Sequence, residues 1–306
     1  MPLRFFSPRT NAAVAGFTLA AICAHAVAAP IEIVGEPVLF ARGIASTEHA
    51  DIRLSISPDG RSALWFSRRR PGGPGSYDIW LSRRGRLSRG EETGWSTAEP
   101  VSFNSTARDF DPAFSADGRF VYFCSDRAGG LGGSDLYRVA VAPDGFGHPE
   151  ALGPSVNSAA DEFAPMLSPD GNRLLFSSDR NGGAGGHDLY FADRADRIFA
   201  AARRVPGALN TVEHEFDATL LADGATLVFS RARGFATARV DLFVAQSTRH
   251  GYDAGTALSR INSANGDTYG PMLDWSDRER ITYSARRDDG RDMDLYRVRY
   301  RFASPD

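Results

Sequence analysis

The chain has 306 residues, with 35 basic side chains, every one of them arginine, against 38 acidic ones, a formal charge of −3. The absence of lysine excludes a Walker-type phosphate loop, a Schiff-base lysine and a Ser-x-x-Lys nucleophile. The acidic balance argues against a general nucleic-acid binder, which shows a basic excess.

Residues 1–28 read as a secretory signal peptide. Arg4 and Arg9 form a basic start, an apolar run extends from about Ala12 to Ala24, and Ala26-Val27-Ala28 supplies small residues for cleavage. The run is short for a membrane anchor and His25 interrupts its end, while bulky Ile22 argues against lipid attachment at Cys23. Cleavage leaves 33 arginines against 38 acids, a net charge of −5 with no membrane span, and places the mature chain in the periplasm or outside the cell. Cys124 is then the single cysteine, so no intrachain disulfide forms even in an oxidising compartment.

Residues 29–306 read as one domain built from five copies of a unit. The third copy runs Asp161-Glu-Phe-Ala-Pro-Met-Leu-Ser-Pro-Asp-Gly171, then Arg173 to Arg180, a glycine-rich stretch, and Asp188-Leu-Tyr190. The aspartate opening its central turn recurs as Asp59, Asp117, Asp170, Asp223 and Asp277, at steps of 58, 53, 53 and 54 residues. Such a period marks a repeat architecture. Each copy predicts a short apolar strand, an Asp-Gly hairpin, and a second strand ending in Phe66, Phe123, Phe176, Phe229 or Tyr283. A third strand opens at Asp-Ile-Trp, Asp-Leu-Tyr or Asp-Leu-Phe, and a weaker fourth follows Trp95, Phe146, Phe199 and Tyr252.

Four antiparallel strands, repeated, make the blade of an all-β propeller. The fifth copy lacks a fourth strand, while residues 31–42 precede the first copy without a partner. Their Glu36-Pro37-Val38 matches Glu99-Pro100-Val101 of a fourth strand, which predicts that the N-terminal segment closes a five-bladed ring and leaves no free edge. Too few residues remain for a sixth blade.

These units closely resemble the PD40 family, the WD40-like repeats of TolB-like propellers. Ser-Pro-Asp-Gly at 57–60 and 168–171, Ser-Asp-Arg at 125–127 and 178–180, and Asp-Leu-Tyr at 135–137, 188–190 and 294–296 carry the resemblance, which covers roughly residues 31–302. It implies an exported bacterial propeller, usually a binding scaffold. No segment corresponds to the separate N-terminal α/β domain of TolB.

Stacking the copies exposes recurring columns. Arg70, Arg127, Arg180, Arg233 and Arg287 end the second strand, and Asp78, Asp135, Asp188, Asp241 and Asp294 begin the third; hairpin folding predicts an Arg–Asp pair in each blade. An anion-binding ring is the alternative, but identical pairs in every blade are what a folding unit needs. The glycine-rich stretches at 129–133 and 182–186 loosely mimic a calcium-binding repeat, yet nothing recurs at nine residues, and plain turns are the simpler reading. Cys124 stands where other copies carry Ser67, Ser177, Ser230 and Ser284, and reads as a small packed residue. Asn104, Asn157, Asn210 and Asn262 read as turn formers.

The candidate binding residues are Asp51, Asp109, Glu162, Glu215 and, shifted by one, Asp267. They precede the innermost strand, which lines the channel of a propeller, so a ring of carboxylates at its mouth would attract a cation or basic segment. The alternative is that each acid bonds backbone within its own loop. The interleaved Phe110, Phe163, Phe216 and Tyr269 are expected to pack between blades. No catalytic constellation is present: His214-Glu215 lacks a second histidine at helical spacing, no Gly-x-Ser-x-Gly occurs, and a metal site near His49 and His214 is weakly supported. No cofactor is implied, and oligomeric state is not readable. Two functions follow: a non-enzymatic scaffold binding a protein or glycan of the cell envelope, or a glycan hydrolase or lyase using carboxylates at the channel mouth. Acids in unequal environments would favour the enzyme.

Overall fold

The computed structural model describes residues 31–86, 92–195, 198–286 and 292–303. The signal segment 1–28, with Cys23, and Arg287 lie outside the described residues. Among the described residues the regular elements are all strands, arranged as five antiparallel blades around one axis.

Blade 1 runs inner to outer through Ala50–Ile56, Ser62–Arg68 and Tyr77–Arg86. Its fourth position is two short pieces, Glu92–Trp95 and Glu99–Pro100, both paired with the third strand. Blade 2 is Asp109–Phe114, Phe120–Ser125 and Asp135–Ala142, with Gly145–Phe146 and Glu150–Ala151 outermost. Blade 3 repeats this with Glu162–Leu167, Arg173–Ser178, Asp188–Ala195, Ile198–Phe199 and Arg203–Arg204. Blade 4 is His214–Leu220, Leu227–Ala232, Asp241–Ala245 and Thr256–Ala257. Blade 5 is Thr268–Leu273, Arg280–Arg286 and Met293–Phe302, completed by Ile31–Leu39 from the other end of the chain. The closing ladder pairs Ile31 with Phe302 and Leu39 with Tyr296, so the expected closure of the ring is observed.

Every inner strand carries a bulge at the same place. The pairing shifts register between Ile52 and Ser55, Phe110 and Ala113, Phe163 and Met166, Phe216 and Thr219, and Tyr269 and Met272. At each bulge one residue has a positive φ: Arg53 at 56°, Asp111 at 55°, Ala164 at 55°, Asp217 at 48° and Gly270 at 67°. A bulge leaves one backbone N–H outside the ladder, which is why Pro112, Pro165 and Pro271 are tolerated on inner strands. Several freed amides cross to the neighbouring blade: Arg53 N donates to Ser284 Oγ, Asp217 N to Ser177 Oγ and Gly270 N to Ser230 Oγ. Cys124 occupies that serine column, buried, and contacts Glu162 O at 3.1 Å, as a small packed side chain would.

The repeat columns have different partners from those expected. Arg127 pairs with Asp109, Arg180 with Glu162 at 2.9 Å, and Arg70 lies 3.8 Å from Asp51. In blade 4 the arginine is Arg231, 2.7 Å from Glu215, and Arg233 instead faces Glu213 from an exposed position. Each arginine therefore ties the start of the inner strand to the second strand, and it also donates to a backbone carbonyl before that inner strand, as in Arg180 to Val156 O. The third-strand aspartates serve the loop ahead of them: Asp135 accepts from Leu131 N and Asp188 from Ala184 N. The asparagines both turn and clamp: Asn104 N donates to Val101 O, Asn157 N to Gly153 O and Asn262 N to Leu258 O, closing turns, while their side chains hold the third strand. Asn157 accepts from Leu136 N and donates to Leu136 O, and Asn104, Asn210 and Asn262 treat Ile79, Leu189 and Leu242 the same way.

A side chain crosses the axis towards the face carrying the Asp-Gly turns. Trp275 follows the inner strand of blade 5 and donates its indole N–H to Phe114 O of blade 2, 2.8 Å away, across the axis. The axial cup lies towards the other face, where the inner strands begin, and is lined there by Ile52, Phe110, Phe163, Phe216 and Tyr269.

Candidate functional site: the axial cup

Four of the five expected site acids do not reach the cup. Asp51, Asp109, Glu162 and Glu215 are fully buried. A hydroxyl residue four positions upstream donates to each carboxylate through both backbone N–H and side chain: Thr47, Ser105, Ser158 and Thr211. Burial pushes the Asp51 carboxyl up, and the bonds from Ser67 and Thr47 oppose it. In blade 5 the equivalent position is Thr268, whose hydroxyl accepts from Ser263 N. Asp267, one residue earlier, is the only one of the five that lines the cup.

The reason is strand parity. Side chains alternate across a strand, so an acid bonded within its own blade sends the next residue to the axis. Ile52, Phe110, Phe163, Phe216 and Tyr269 accordingly line the cup, rather than packing only between blades. Two aromatic groups form opposite walls. Phe66, Tyr77 and Phe110 pack with centroids 5.8–5.9 Å apart on blades 1 and 2. Phe163, Phe216 and Phe235 pack at 5.4–6.4 Å on blades 3 and 4. Phe235 comes from the 233–239 loop of blade 4, which replaces the glycine-rich stretch of blades 2 and 3.

The floor is set by the bulge column, which is chemically uneven: Arg53, Asp111, Ala164, Asp217 and Gly270. Arg53 is fully buried, its Nε 3.8 Å from Asp111 Oδ1 and its Nη1 3.3 Å from Asp217 Oδ1, while Nη2 donates to Pro165 O. A Cβ on Gly270 would stand 2.9 Å from Arg53 Cγ, so glycine there accommodates both the left-handed backbone and the arginine stem. Burial pushes Asp111 up to about 7; Arg53 opposes the rise and Asp217 adds to it. Burial also raises Asp217, again opposed by Arg53. Burial raises the Tyr269 hydroxyl as well, so it stays a neutral donor.

The cup encloses about 330 Å³, near the lower end of small-molecule sites, which span roughly 300–1,000 Å³. Its charges are largely answered internally. Arg108 is held by Asp126 at 2.7 Å, Arg286 lies 3.4 Å from Asp267, and Asp161 accepts the backbone N–H of Ser134. Among the described residues, no group of three or more His, Cys, Asp or Glu side chains is arranged to hold a metal ion.

No family model and no curated protein sequence matches the chain. Solved structures share its fold. A thermostable family-43 glycoside hydrolase superposes with a TM-score of 0.55 at 8% identity, over 87% of this chain and 93% of the other. An endo-arabinase from Bacteroides thetaiotaomicron VPI-5482 gives 0.53 at 14% identity, over 84% and 95%. TolB from Acinetobacter baumannii gives 0.43 at 17% identity over 82% of this chain, which spans 54% of that protein's length. At these identities the likeness to the first two is one of fold, which hosts unrelated functions.

Proposed function

We propose that the protein is an exported, PD40-type binding propeller whose axial cup takes a neutral sugar residue of a cell-envelope glycan. The observation that carries this reading is the clamp of Asp111 and Asp217 on Arg53. Both carboxylates answer to one buried guanidinium, so the floor supplies a fixed, nearly compensated polar surface. A free charged ligand gains little there and loses its hydration. A sugar ring suits the rest: its C–H faces stack between the two aromatic walls, and its hydroxyls donate to Asp267, accept from Arg68 and Arg108, and do either with the Ser134 hydroxyl. The basic, alanine-rich leader supports export to the envelope.

A second reading, glycan hydrolysis, is favoured by one observation. Asp111 is held near neutrality at the cup floor, where a general acid would stand. Against it, a hydrolytic pair needs two carboxyls with separate roles, and here both share Arg53.

Calorimetry with neutral oligosaccharides and, in parallel, basic peptides tests the proposal. Binding of an oligosaccharide, weakened at least tenfold by Phe235→Ala at unchanged melting temperature, is the expected result. Binding of basic peptides alone would overturn it. Release of new reducing ends, lost in Asp111→Asn, would establish the hydrolytic reading instead.

A further inference from the structure

Three of the blade seams at the cup rim are sewn by the same pair of hydrogen bonds. The residue before the third-strand aspartate gives its carbonyl to the next inner strand: Ser134 O accepts from Glu162 N, His187 O from Glu215 N, and Val240 O from Thr268 N. Its own N–H is taken by a side chain of that next blade. Between blades 2 and 3 the acceptor is the Asp161 carboxylate, 2.7 Å from Ser134 N, and between blades 4 and 5 it is Asp267, 3.1 Å from Val240 N. Between blades 3 and 4 the acceptor is an imidazole: Nδ1 of His214, 3.2 Å from His187 N.

The substitution changes the chemistry. A carboxylate stays an acceptor throughout the neutral and mildly acidic range; an imidazole nitrogen accepts only while it is unprotonated. Here His214 Nδ1 faces two donors, because His187 Nδ1 also lies 3.0 Å away. The arrangement requires His214 to carry its proton on Nε2 and His187 to carry one on Nδ1. A proton added to His214 Nδ1 would turn both contacts into donor against donor.

The pair also holds the wall of the cup. Phe235 rests with its centroid 4.3 Å from the His187 ring and 5.7 Å from that of His214, and Phe163 meets His187 edge-on at 5.0 Å. Gly186 lets the His214 ring lie against the backbone, since a Cβ there would stand 2.2 Å from its Cε1. The charged groups around the pair are Asp161, Asp179 and Asp188 on blade 3 and, on blade 4, Glu213, faced by Arg233, and Glu215, held by Thr211. Burial lowers His187 to about 4, opposed by Asp179 and reinforced by His214, so His187 stays neutral.

We propose that His187 and His214 form a proton-operated latch: neutral, it fixes the Phe235 wall of the ligand cup, and protonated, it releases that wall and lowers ligand affinity. The role in ligand release rests on the cup being the binding site. The latch itself is testable without a ligand. Hydrogen exchange of segments 183–190 and 232–240 would be measured at pH 7.5 and 5.5, each corrected for the intrinsic exchange rate at that pH. In the wild type, protection should fall at least tenfold at pH 5.5. His214→Asp, which restores the carboxylate of the neighbouring seams, should hold protection within twofold across the same range. The converse variant, Asp161→His, should transfer the pH dependence to segment 130–137. An undiminished pH effect in His214→Asp, none in the wild type, or none gained in Asp161→His would overturn the latch. Failure of the glycan reading would appear only in the calorimetry and would leave these exchange rates unaffected.

Discussion

The guanidinium of Arg180 lies 2.9 Å from the carboxylate of Glu162 and stacks 4.8 Å over the ring of Tyr190, while Asp188 accepts a loop amide from Ala184. Repeated as Arg127 with Asp109 and Arg231 with Glu215, which stack over Tyr137 and Phe243, this contact fastens the inner strands of blades 2, 3 and 4 to the two strands outside them. Glu162 is fully buried, so its charge depends on that partner and on Ser158 and Ser178.

Removing the arginine should therefore be costly in a specific way. Arg180→Ala leaves a buried carboxylate without its cation and is expected to destabilise the protein by about 3 kcal/mol, whereas Asp188→Asn, which trades a charged acceptor for a neutral one, should cost about 1 kcal/mol. A double-mutant cycle in denaturant should find coupling between positions 180 and 162. Larger coupling between 180 and 188 would restore the pairing anticipated from the hairpin.

Ring closure predicts a second outcome. The strand Ile31–Leu39 pairs with Met293–Phe302 and is reinforced by Arg301 on Glu32 at 2.7 Å. Deleting residues 29–42 exposes the edge of blade 5, so the variant should lose monodispersity or melt at lower temperature. An unchanged melting temperature with a monomeric elution profile would refute the closure.

A third prediction concerns pH. Asp111 sits above its ordinary value of 3.8, at about 7, so the folded state favours its protonated form. Its contribution is fully present below pH 3.8 and is lost as pH rises through about 7. Asp111→Asn, which stays neutral, should thus gain on the wild type in melting temperature between pH 5 and pH 8. A constant difference between the two proteins over that interval would show that Asp111 is ionised throughout.

The blades and their closure could be read from the chain because each unit carries its own turn chemistry and because Glu36-Pro37-Val38 repeats a fourth-strand pattern. The cup could not. Asp109 and Phe110 are both plausible channel residues in a linear sequence, and only the partners of Asp109 decide which side faces the axis. One signal was present: a Ser or Thr stands four residues before each buried acid, at 47, 105, 158 and 211, as a local donor should. Arg231 was missed because blade 4 reads Ser-Arg-Ala-Arg where blades 2 and 3 read Ser-Asp-Arg, so alignment by the last arginine chose Arg233. The floor was hidden for a different reason. The positive φ that turns Arg53, Asp111 and Asp217 to the axis belongs to a bulge, and nothing in those residue types announces one.

Methionine offers the most direct test of the cup as the ligand site. Beyond the initiator, the chain has Met166, Met272 and Met293; the first two are buried on inner strands of blades 3 and 5, and Met293 lines the cup. With 13C-methyl methionine, titration of the oligosaccharide that binds in calorimetry should shift the Met293 resonance in a saturable manner while Met166 and Met272 stay within the linewidth. A saturated complex in which Met293 does not move would place the ligand elsewhere on the propeller and contradict the account.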